Sequence, residues 1–193
     1  MTTPALPVRH RLRALPVFPE IFPAFEADPA AWPESPADAF LGWLDEALDL
    51  QVVEPHAATL STADASGNVT ARTLILKDLQ GDVWHFATHQ DTRKVADLAE
   101  NPSAALTFYW PETGRQVLVR GEARDLGDEA SAEDFRQRPM AGTEIDPLWR
   151  AYGLEALSVE FWQADPERQH RRMVYSRASA AEPFSRSAAD PGM

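Results

Sequence analysis

The spacing of apolar residues changes from a helical to a strand period nearly a third of the way along the chain. Between Phe40 and Leu48, apolar side chains recur every three or four positions, which predicts an amphipathic helix. Ser35 and Pro36 stand just before this pattern, and a serine cap followed by proline in the first turn is typical of a helix start. The pattern therefore predicts a helix that begins at Pro36 and ends near Leu50.

Beyond this helix, apolar and polar residues alternate in short runs, as they do in strands. Turn residues at 64–68 and 111–114 join two pairs of runs as hairpins. The predicted strands are Ala57–Thr62, Val69–Lys77, Val83–Thr88, Ser103–Trp110, Gln116–Arg124, Ser158–Gln163 and a last one around Met173–Arg177. Two short helices are expected, one from Thr92 to Asn101 and one over Asp128–Arg138. Six or seven mostly antiparallel strands with few helices indicate a mainly β fold, a small β-barrel.

The two ends of the chain differ from this middle part in composition. Residues 1–36 hold eight of the sixteen prolines, and we expect neither a regular helix nor a central strand there, because proline lacks an amide donor. Apolar residues from about position 17 predict an ordered arm that lies on the domain or on a partner subunit. Three arginines before it are expected to form a loose basic tail. We divide the chain into a proline-rich arm (1–34), one domain (35–177) and a flexible, frayed tail (178–193).

The composition narrows the classes of function. The chain has 193 residues and a formal net charge of −12, so we expect one domain with a sizeable core and no non-specific nucleic-acid binding. It has no cysteine, which excludes disulfides and cysteine nucleophiles. No apolar run approaches membrane-spanning length, and we expect a cytoplasmic protein. The basic residues are clustered, which favours a small anionic ligand over a polymer.

Hydroxyl and basic side chains are concentrated between the end of the predicted strand Val83–Thr88 and the start of the short helix that follows it. Thr88 and Thr92 supply hydroxyl groups, Arg93 a planar guanidinium and Lys94 a compact positive charge. Cations at a helix start oppose the helix dipole, whereas an anion is stabilised there by the free amide groups. This placement therefore favours a phosphate-binding clamp over a helix start with solvated cations.

The segment Arg72–Lys77 has two interpretations. In a strand, alternate residues share a face, so Arg72, Leu74 and Leu76 lie on one face and Thr73, Ile75 and Lys77 on the other. Taken alone, the segment is most simply an edge strand whose charged ends protect against aggregation.

Polar residues near the chain's end, and Gln116, are further candidates. Gln116 has a donor and an acceptor that suit the polar edge of a planar heterocycle, or it is an ordinary surface residue. Arg168, His170 and Arg172 would project together from an extended segment, or they form a solvated turn. No residues have the spacing of a metal site, and no glycine-rich phosphate loop is present.

Four segments in this order resemble the pyridoxamine 5′-phosphate oxidase family of FMN-binding split β-barrels. They are RTLILK, TRK followed by LAENP, FYWPETGRQVLVRGEA, and EFWQ followed by RQHRR. The resemblance extends from about Ala39 to Arg172. It implies a split β-barrel, a homodimer, and FMN in a cleft between the subunits.

The resemblance also implies roles for individual residues. Arg93 and Lys94 would hold the FMN phosphate. The other residues implied to contact FMN are Arg72, Thr73, Leu74, Ile75, Leu76, Lys77, Ala87, Thr88, Gln116, Trp162 and Arg172. Those implied to bind a phosphorylated pyridine substrate are Lys77, Arg138, Arg168 and His170, and the last two are the implied catalytic residues. The implied reaction transfers a hydride from a carbon bearing an amine or alcohol to FMN, which then reduces dioxygen to peroxide.

The chain departs from the family pattern around the substrate. Asp134 stands in place of a tyrosine and Gly142 in place of a serine, and an aspartate would repel a phosphate. The segment from Arg138 to Trp162 is shorter than in the family and lacks a Gln-Ser pair that contacts FMN. A tryptophan-containing terminal strand is missing or degraded after Arg177.

Three hypotheses follow. The first is an oxidase of pyridoxamine or pyridoxine 5′-phosphate, serving pyridoxine biosynthesis, because the implied substrate-binding residues are kept. The second keeps FMN and changes the substrate, as in the phenazine-biosynthesis flavin oxidases, because of the departures. The third is a non-catalytic flavin-binding module.

Overall fold

The computed structural model describes residues 7–19, 22–139 and 144–189. The helices are α1 (Val8–Arg13), α2 (Pro36–Asp49), α3 (Arg93–Glu100) and α4 (Gly127–Arg136), with a 3-10 turn at Pro29–Ala31. The strands are β1 (Ala57–Ala63), β2 (Val69–Ile75), β3 (Asp78–Gln80), β4 (Val83–His89), β5 (Ser103–Trp110), β6 (Arg115–Asp125), β7 (Trp149–Gln163), β8 (Arg171–Ser176) and β9 (Ser185–Ala189). The predicted mainly β fold is confirmed.

All the strands described belong to one antiparallel sheet. Its order is β2-β1-β5-β6-β7-β4-β3, and β8 branches from β7 and carries β9. The two ends of the main path, β2 and β3, do not pair with each other, so the sheet is not closed. This open arrangement is a split barrel, with its core between the curved sheet and α2.

Strand β7 is the longest strand and connects the two halves of the sheet. Its first half pairs with β4, and its second half pairs with β8. Its register with β6 shifts at Arg120 and Gly121, where a bulge bends the pair. A Cβ on Gly121 would lie 1.9 Å from the carbonyl oxygen of Glu155, so only glycine allows this close approach.

Helix α2 begins and packs as the sequence predicts. Ser35 Oγ accepts hydrogen bonds from the amides of Ala37 (3.0 Å) and Asp38 (3.4 Å), which caps the helix. On the buried face, the Phe40 ring lies 4.8 Å from that of Phe108. The aromatic stripe of this helix is therefore part of the core.

The N-terminal arm differs from the prediction in one respect. We expected no regular helix among the prolines, yet Val8–Arg13 form α1, all of whose residues are exposed. Pro7 precedes the helix and costs it no internal hydrogen bond, because the first helical amides have no intrahelical partner. The end of the arm packs on the domain: Trp32 is buried in the core, and Tyr175 donates to the Pro33 carbonyl at 2.8 Å.

The C-terminal part contains more strand than predicted. β7 starts at Trp149, nine residues before the predicted Ser158, because the bulge lets one strand continue past a break in the alternation. β9 lies where we expected a frayed tail and a missing terminal strand, and it pairs with β8. It contains no tryptophan. β3 has three residues, too few for a pattern of alternation.

Smaller differences concern the ends of β2 and α4. β2 ends at Ile75, two residues before the predicted Lys77, whose amide instead donates to the His85 carbonyl at 2.8 Å. α4 ends at Arg136 rather than at Arg138. Within the ranges described, no helix combines the length and apolar character needed to cross a bilayer.

Candidate functional site

The start of α3 has a hydroxyl-rich environment without a side-chain cap. Thr92 occupies the cap position, but its Oγ1 donates to the His89 carbonyl at 2.8 Å and makes no capping hydrogen bond. The helix-start amides therefore have no side-chain oxygen from Thr92 to bind. Such amides, together with the helix dipole, stabilise an anion.

Lys94 is the basic residue that points into this environment. Its Nζ donates to Thr88 Oγ1 at 2.8 Å and lies 3.3 Å from Thr92 Oγ1. Among the residues described, no carboxylate lies within ion-pair distance of Nζ. Burial lowers the pKa of Lys94, and the nearby Arg72 lowers it further. A half-buried cation held by neutral hydroxyls and facing another cation would be stabilised by an added anion.

Arg72 and Arg93 complete this group. Arg72 Nη1 donates to Thr62 Oγ1 at 2.8 Å and Nη2 donates to Thr70 Oγ1 at 2.5 Å, so its guanidinium is fixed beneath α3. The Arg93 side chain is 65% exposed, with Nη2 4.0 Å from a carboxylate oxygen of Asp64. The structure thus brings together the predicted residues Arg72, Thr88, Arg93 and Lys94, which we call the clamp.

The rest of the segment Arg72–Lys77 leads away from the clamp along β2. Leu74 and Leu76 pack against the core, whereas Thr73 and Ile75 are exposed on the other face. Within the described chain β2 pairs only with β1, so it is an edge strand there; the flavin contacts implied for this segment stay predictions. Ala87 is half-buried on β4, next to Thr88.

Lys77 lines a cavity of about 450 Å³ between the β3–β4 hairpin and α4. Three carboxylates share this cavity, those of Asp78, Glu133 and Asp134. The Trp149 indole donates to Asp134 Oδ2 at 2.7 Å, and the Arg138 guanidinium lies 4.1 Å from the Trp149 ring centre. Lys77 therefore lies in a cavity with acids and with Arg124, and Arg138 is connected to this cavity through Trp149 and Asp134. Gly142 lies outside the described residues.

His85 is a further lining residue of this cavity that sequence reasoning missed. Burial lowers its pKa, although Asp78 and Asp134 act in the opposite direction. A neutral imidazole in this position can donate or accept one hydrogen bond to a ligand. Alternation along β4 places His85 and Ala87 on one face, but only the packing of α4 makes that face part of a cavity.

The remaining predicted residues form a third group on neighbouring strands. Gln116 pairs with Trp162, and Trp162 pairs with Arg172, so all three lie side by side on β6, β7 and β8. Arg172 Nε lies 3.6 Å from Glu160, whereas its Nη1 is buried and has no hydrogen-bond partner among the residues that the structure describes. Orphaned buried donors are rare, and this one lies beside two predicted ligand-binding residues.

His170 joins this group, but Arg168 does not project with it. The His170 ring centre lies 4.9 Å from that of Trp162 and 5.5 Å from that of Phe18 in the N-terminal arm. Arg168 is exposed in a turn and has a φ of 63°, so the segment is not extended there. Of the two alternatives for this segment, the turn is the one found at Arg168, and His170 and Arg172 lie apart from it.

Comparisons with known proteins agree with this architecture. The family model described as pyridoxamine 5′-phosphate oxidase matches residues 44–170. The pyridoxine/pyridoxamine 5′-phosphate oxidase of Salinibacter ruber is 33% identical over an alignment of 183 positions, with coverage of 77% of this chain and 85% of that protein. The Burkholderia mallei protein with the same description is 35% identical over an alignment of 173 positions, with coverage of 72% of this chain and 80% of that one.

The chain belongs to the pyridoxamine 5′-phosphate oxidase family. Solved structures support the fold of this family member. PhzG from Burkholderia lata, solved with tetrahydrophenazine-1-carboxylic acid, superposes with a TM-score of 0.79 at 24% identity, covering 88% of this chain and 99% of that one. A pyridoxamine 5′-phosphate oxidase-related, FMN-binding protein from Nostoc punctiforme gives a TM-score of 0.68 at 18% identity, covering 81% and 98% of the two chains.

The residues of this family member fit a phosphorylated flavin. Within the described ranges Lys94 has hydroxyl partners and no counter-charge, and it lies at a helix start, where an anion is stabilised. The orphaned Nη1 of Arg172 lies on the strand next to Trp162, where a polar ligand atom would satisfy it. Both observations concern residues, Lys94 and Arg172, for which the resemblance implies contacts with FMN.

Sequence reasoning missed the residues that support the clamp. Asp97 is buried and bonds to Thr62 and Thr70, which face each other across the β1–β2 hairpin. Its spacing of four residues from Arg93 on one helix was a usable signal, because side chains at i and i+4 are neighbours. The threonine pair follows from the hairpin register, but its contact with α3 does not.

Proposed function

We propose that the protein is an FMN-dependent oxidase that acts on a carbon bearing an amine or an alcohol and passes electrons to dioxygen. One observation carries the proposal: Lys94 is a half-buried cation at a helix start with hydroxyl partners and a second cation, Arg72, nearby. A phosphate bound there would remove the electrostatic cost of this arrangement. When bound, FMN would supply hydride acceptance and the reaction with dioxygen.

Each group of residues has a separate task in this proposal. The clamp holds the phosphate, with Thr88 keeping the Lys94 ammonium directed at it. Gln116, Trp162 and Arg172 contact the flavin, and Arg172 offers its unpaired Nη1. His170, whose Nδ1 accepts a hydrogen bond from the Asp165 amide at 3.1 Å, has its Nε2 left to hold or move a proton on the substrate.

The distribution of these groups supports a homodimer. Thr88 pairs with Arg150 near the start of β7, and Gln116 pairs with Trp162 near its end. Twelve residues separate the two positions on β7, about 40 Å of strand contour. One small cofactor does not span this length within a chain, whereas residues from two copies can surround it.

An uncharged sheet face is the surface we assign to the second copy. The outward face of β2, β1 and β5 carries alanine, serine, threonine, valine, isoleucine and tyrosine, with Thr73, Thr59 and Thr107 in one row across the strands. It has no charged side chain, although 25% of the chain is charged. Such a contiguous face is typical of an interface between subunits.

Pyridoxamine or pyridoxine 5′-phosphate is the first candidate substrate. Lys77 and Arg138 are close to one cavity, and Arg168 and His170 would come from the partner copy. A second candidate is a substrate without a phosphate, because Asp78, Glu133 and Asp134 share the cavity with Lys77. The cytoplasmic location and a place in pyridoxine biosynthesis stay predictions.

Purified full-length protein tests the cofactor, the assembly and the reaction together. We expect a yellow dimer by light scattering and absorbance, bleaching of the flavin bands when pyridoxamine 5′-phosphate is added without oxygen, and peroxide when oxygen returns. A colourless protein that also fails to bind added FMN would refute the proposal. Bound flavin that this substrate does not bleach would reject the first substrate, and flavin that no amine or alcohol bleaches would leave only a non-catalytic flavin module.

A double variant tests whether the clamp binds the FMN phosphate. Arg93→Ala combined with Lys94→Ala should weaken FMN binding by several kcal/mol, on the order of 3, because hydrogen bonds to charged groups contribute about 1.5–3 kcal/mol each. Arg9→Ala with Arg11→Ala, on the exposed helix α1, removes the same charge and is the matched control. Equal flavin retention by both double variants on gel filtration would reject the assignment.

A further inference from the structure

Asp97 is a buried carboxylate without a role in the proposed reaction. It lies on α3 and is 4% exposed, and it faces β1 and β2. Thr62 Oγ1 donates to its Oδ2 at 2.7 Å and Thr70 Oγ1 donates to the same oxygen at 2.9 Å. The hydrogen bond from Thr62 is the largest cause of a lowered pKa of Asp97. The group is therefore ionised at neutral pH.

Two arginines of the clamp approach this carboxylate from different sides. Arg72 Nη2 lies 3.9 Å from Oδ2, and Arg93 Nε lies 3.7 Å from Oδ1. Arg72 also donates to the hydroxyl groups of Thr62 and Thr70, so the carboxylate, the two hydroxyls and the guanidinium form one hydrogen-bonded network. Asp97 is thus the group that Arg72 and Arg93 have in common, and its own position is set by Thr62 and Thr70.

We propose that Asp97 is a positioning residue that orients Arg72 and Arg93 toward the phosphate of the cofactor, and so sets the preference of the site for FMN over riboflavin. This inference rests on the proposed function. A guanidinium binds a phosphate well only when its planar fork faces the oxygens, and a long side chain that is already held in one rotamer loses less entropy on binding.

The charge of Asp97 by itself would have the opposite effect. A carboxylate near a phosphate repels it, so removing that charge would strengthen FMN binding if orientation were unimportant. The two effects act on FMN and differ in sign. Neither acts on riboflavin, which has the same ring and ribityl chain without a phosphate. The ratio of the two dissociation constants therefore separates positioning from repulsion and from a general loss of structure.

Asp97→Asn is the test, with Glu100→Gln as its matched control. Asparagine keeps the shape and one acceptor oxygen, and Glu100 is an exposed carboxylate on the same helix. Flavin-free full-length proteins are titrated with FMN and with riboflavin at low ionic strength. We expect the ratio of the riboflavin to the FMN dissociation constant to fall about tenfold in Asp97→Asn, or about 1.4 kcal/mol, and to stay unchanged in Glu100→Gln.

An unchanged or increased ratio in Asp97→Asn would overturn the inference. If that variant does not fold, Thr70→Val removes one support of the carboxylate, and the same fall in the ratio is expected; an unchanged ratio there overturns it equally. Failure of the proposed function looks different, because the unsubstituted protein would then bind FMN no more tightly than riboflavin.

Discussion

Replacing Arg115 with methionine should destabilise the protein and release its N-terminal arm. The Arg115 side chain is 1% exposed and joins four parts of the chain. Its Nε donates to Gln163 Oε1 at 3.0 Å, Nη1 to Glu46 Oε2 at 2.8 Å and Nη2 to the Ala24 carbonyl at 3.0 Å. The guanidinium also lies 4.1 Å from the centre of the Trp43 ring.

The magnitude follows from the groups that lose a partner. Glu46 is about half exposed, so water can replace its hydrogen bond. Gln163 is buried, and its orphaned acceptor oxygen costs about 1–3 kcal/mol. Ala24 is exposed, and the lost hydrogen bond to its carbonyl contributes about 1 kcal/mol. The lost cation–π contact adds about 1 kcal/mol. Methionine has no charge to desolvate, whereas burial of the guanidinium is unfavourable and lowers the pKa of Arg115, so this difference offsets part of the loss. We expect a net loss of about 3 kcal/mol in unfolding free energy.

This loss is measurable as a lower melting temperature. For a chain of this size, 1 kcal/mol shifts Tm by about 2–4 °C, so circular dichroism should show a fall of about 6–12 °C. Limited proteolysis should then cut the arm between α1 and α2 faster. Arg120→Met is the matched control, because Arg120 lies exposed on the same strand and makes one long hydrogen bond, 3.3 Å to Ser158. If both variants melt at the same temperature, the reasoning is refuted.

Two further predictions concern acids near the site. Asp134→Asn keeps an acceptor for Trp149 and removes a negative charge from the Lys77 cavity. We therefore expect kcat/KM for pyridoxamine 5′-phosphate to rise about tenfold (~1.4 kcal/mol). Glu129→Gln on the same helix is the control, and no rise relative to it would contradict the proposed repulsion of the substrate phosphate. The lowered pKa of Asp97 means that its contribution to stability is present above its unfolded pKa of about 3.9 and is lost as pH falls through the lower folded value. Urea unfolding from pH 6 down to pH 2 should therefore show a steeper loss of stability than in Asp97→Asn, and parallel curves would contradict it.

The sequence by itself determined the local elements and the placement of basic and hydroxyl residues at the start of α3. The cap at Ser35, the hairpin turns and the alternation in β5 and β6 depend on residues close together in the chain, and each predicted element formed. The same holds for Thr92, Arg93 and Lys94, because the conflict between cations and a helix start is visible from neighbouring residues alone. The resemblance added the flavin, which no spacing of charges identifies.

Only the tertiary structure decided how these pieces meet. Asp97 became a buried partner of Arg72 because α3 packs on the β1–β2 hairpin, and Arg115 became the anchor of the arm through contacts with residues up to 91 positions away. β9 formed because β8 offered a free edge, not because its own five residues carry a strong strand pattern. Such contacts depend on register and packing between distant segments, and local periodicity and capping contain no information about either.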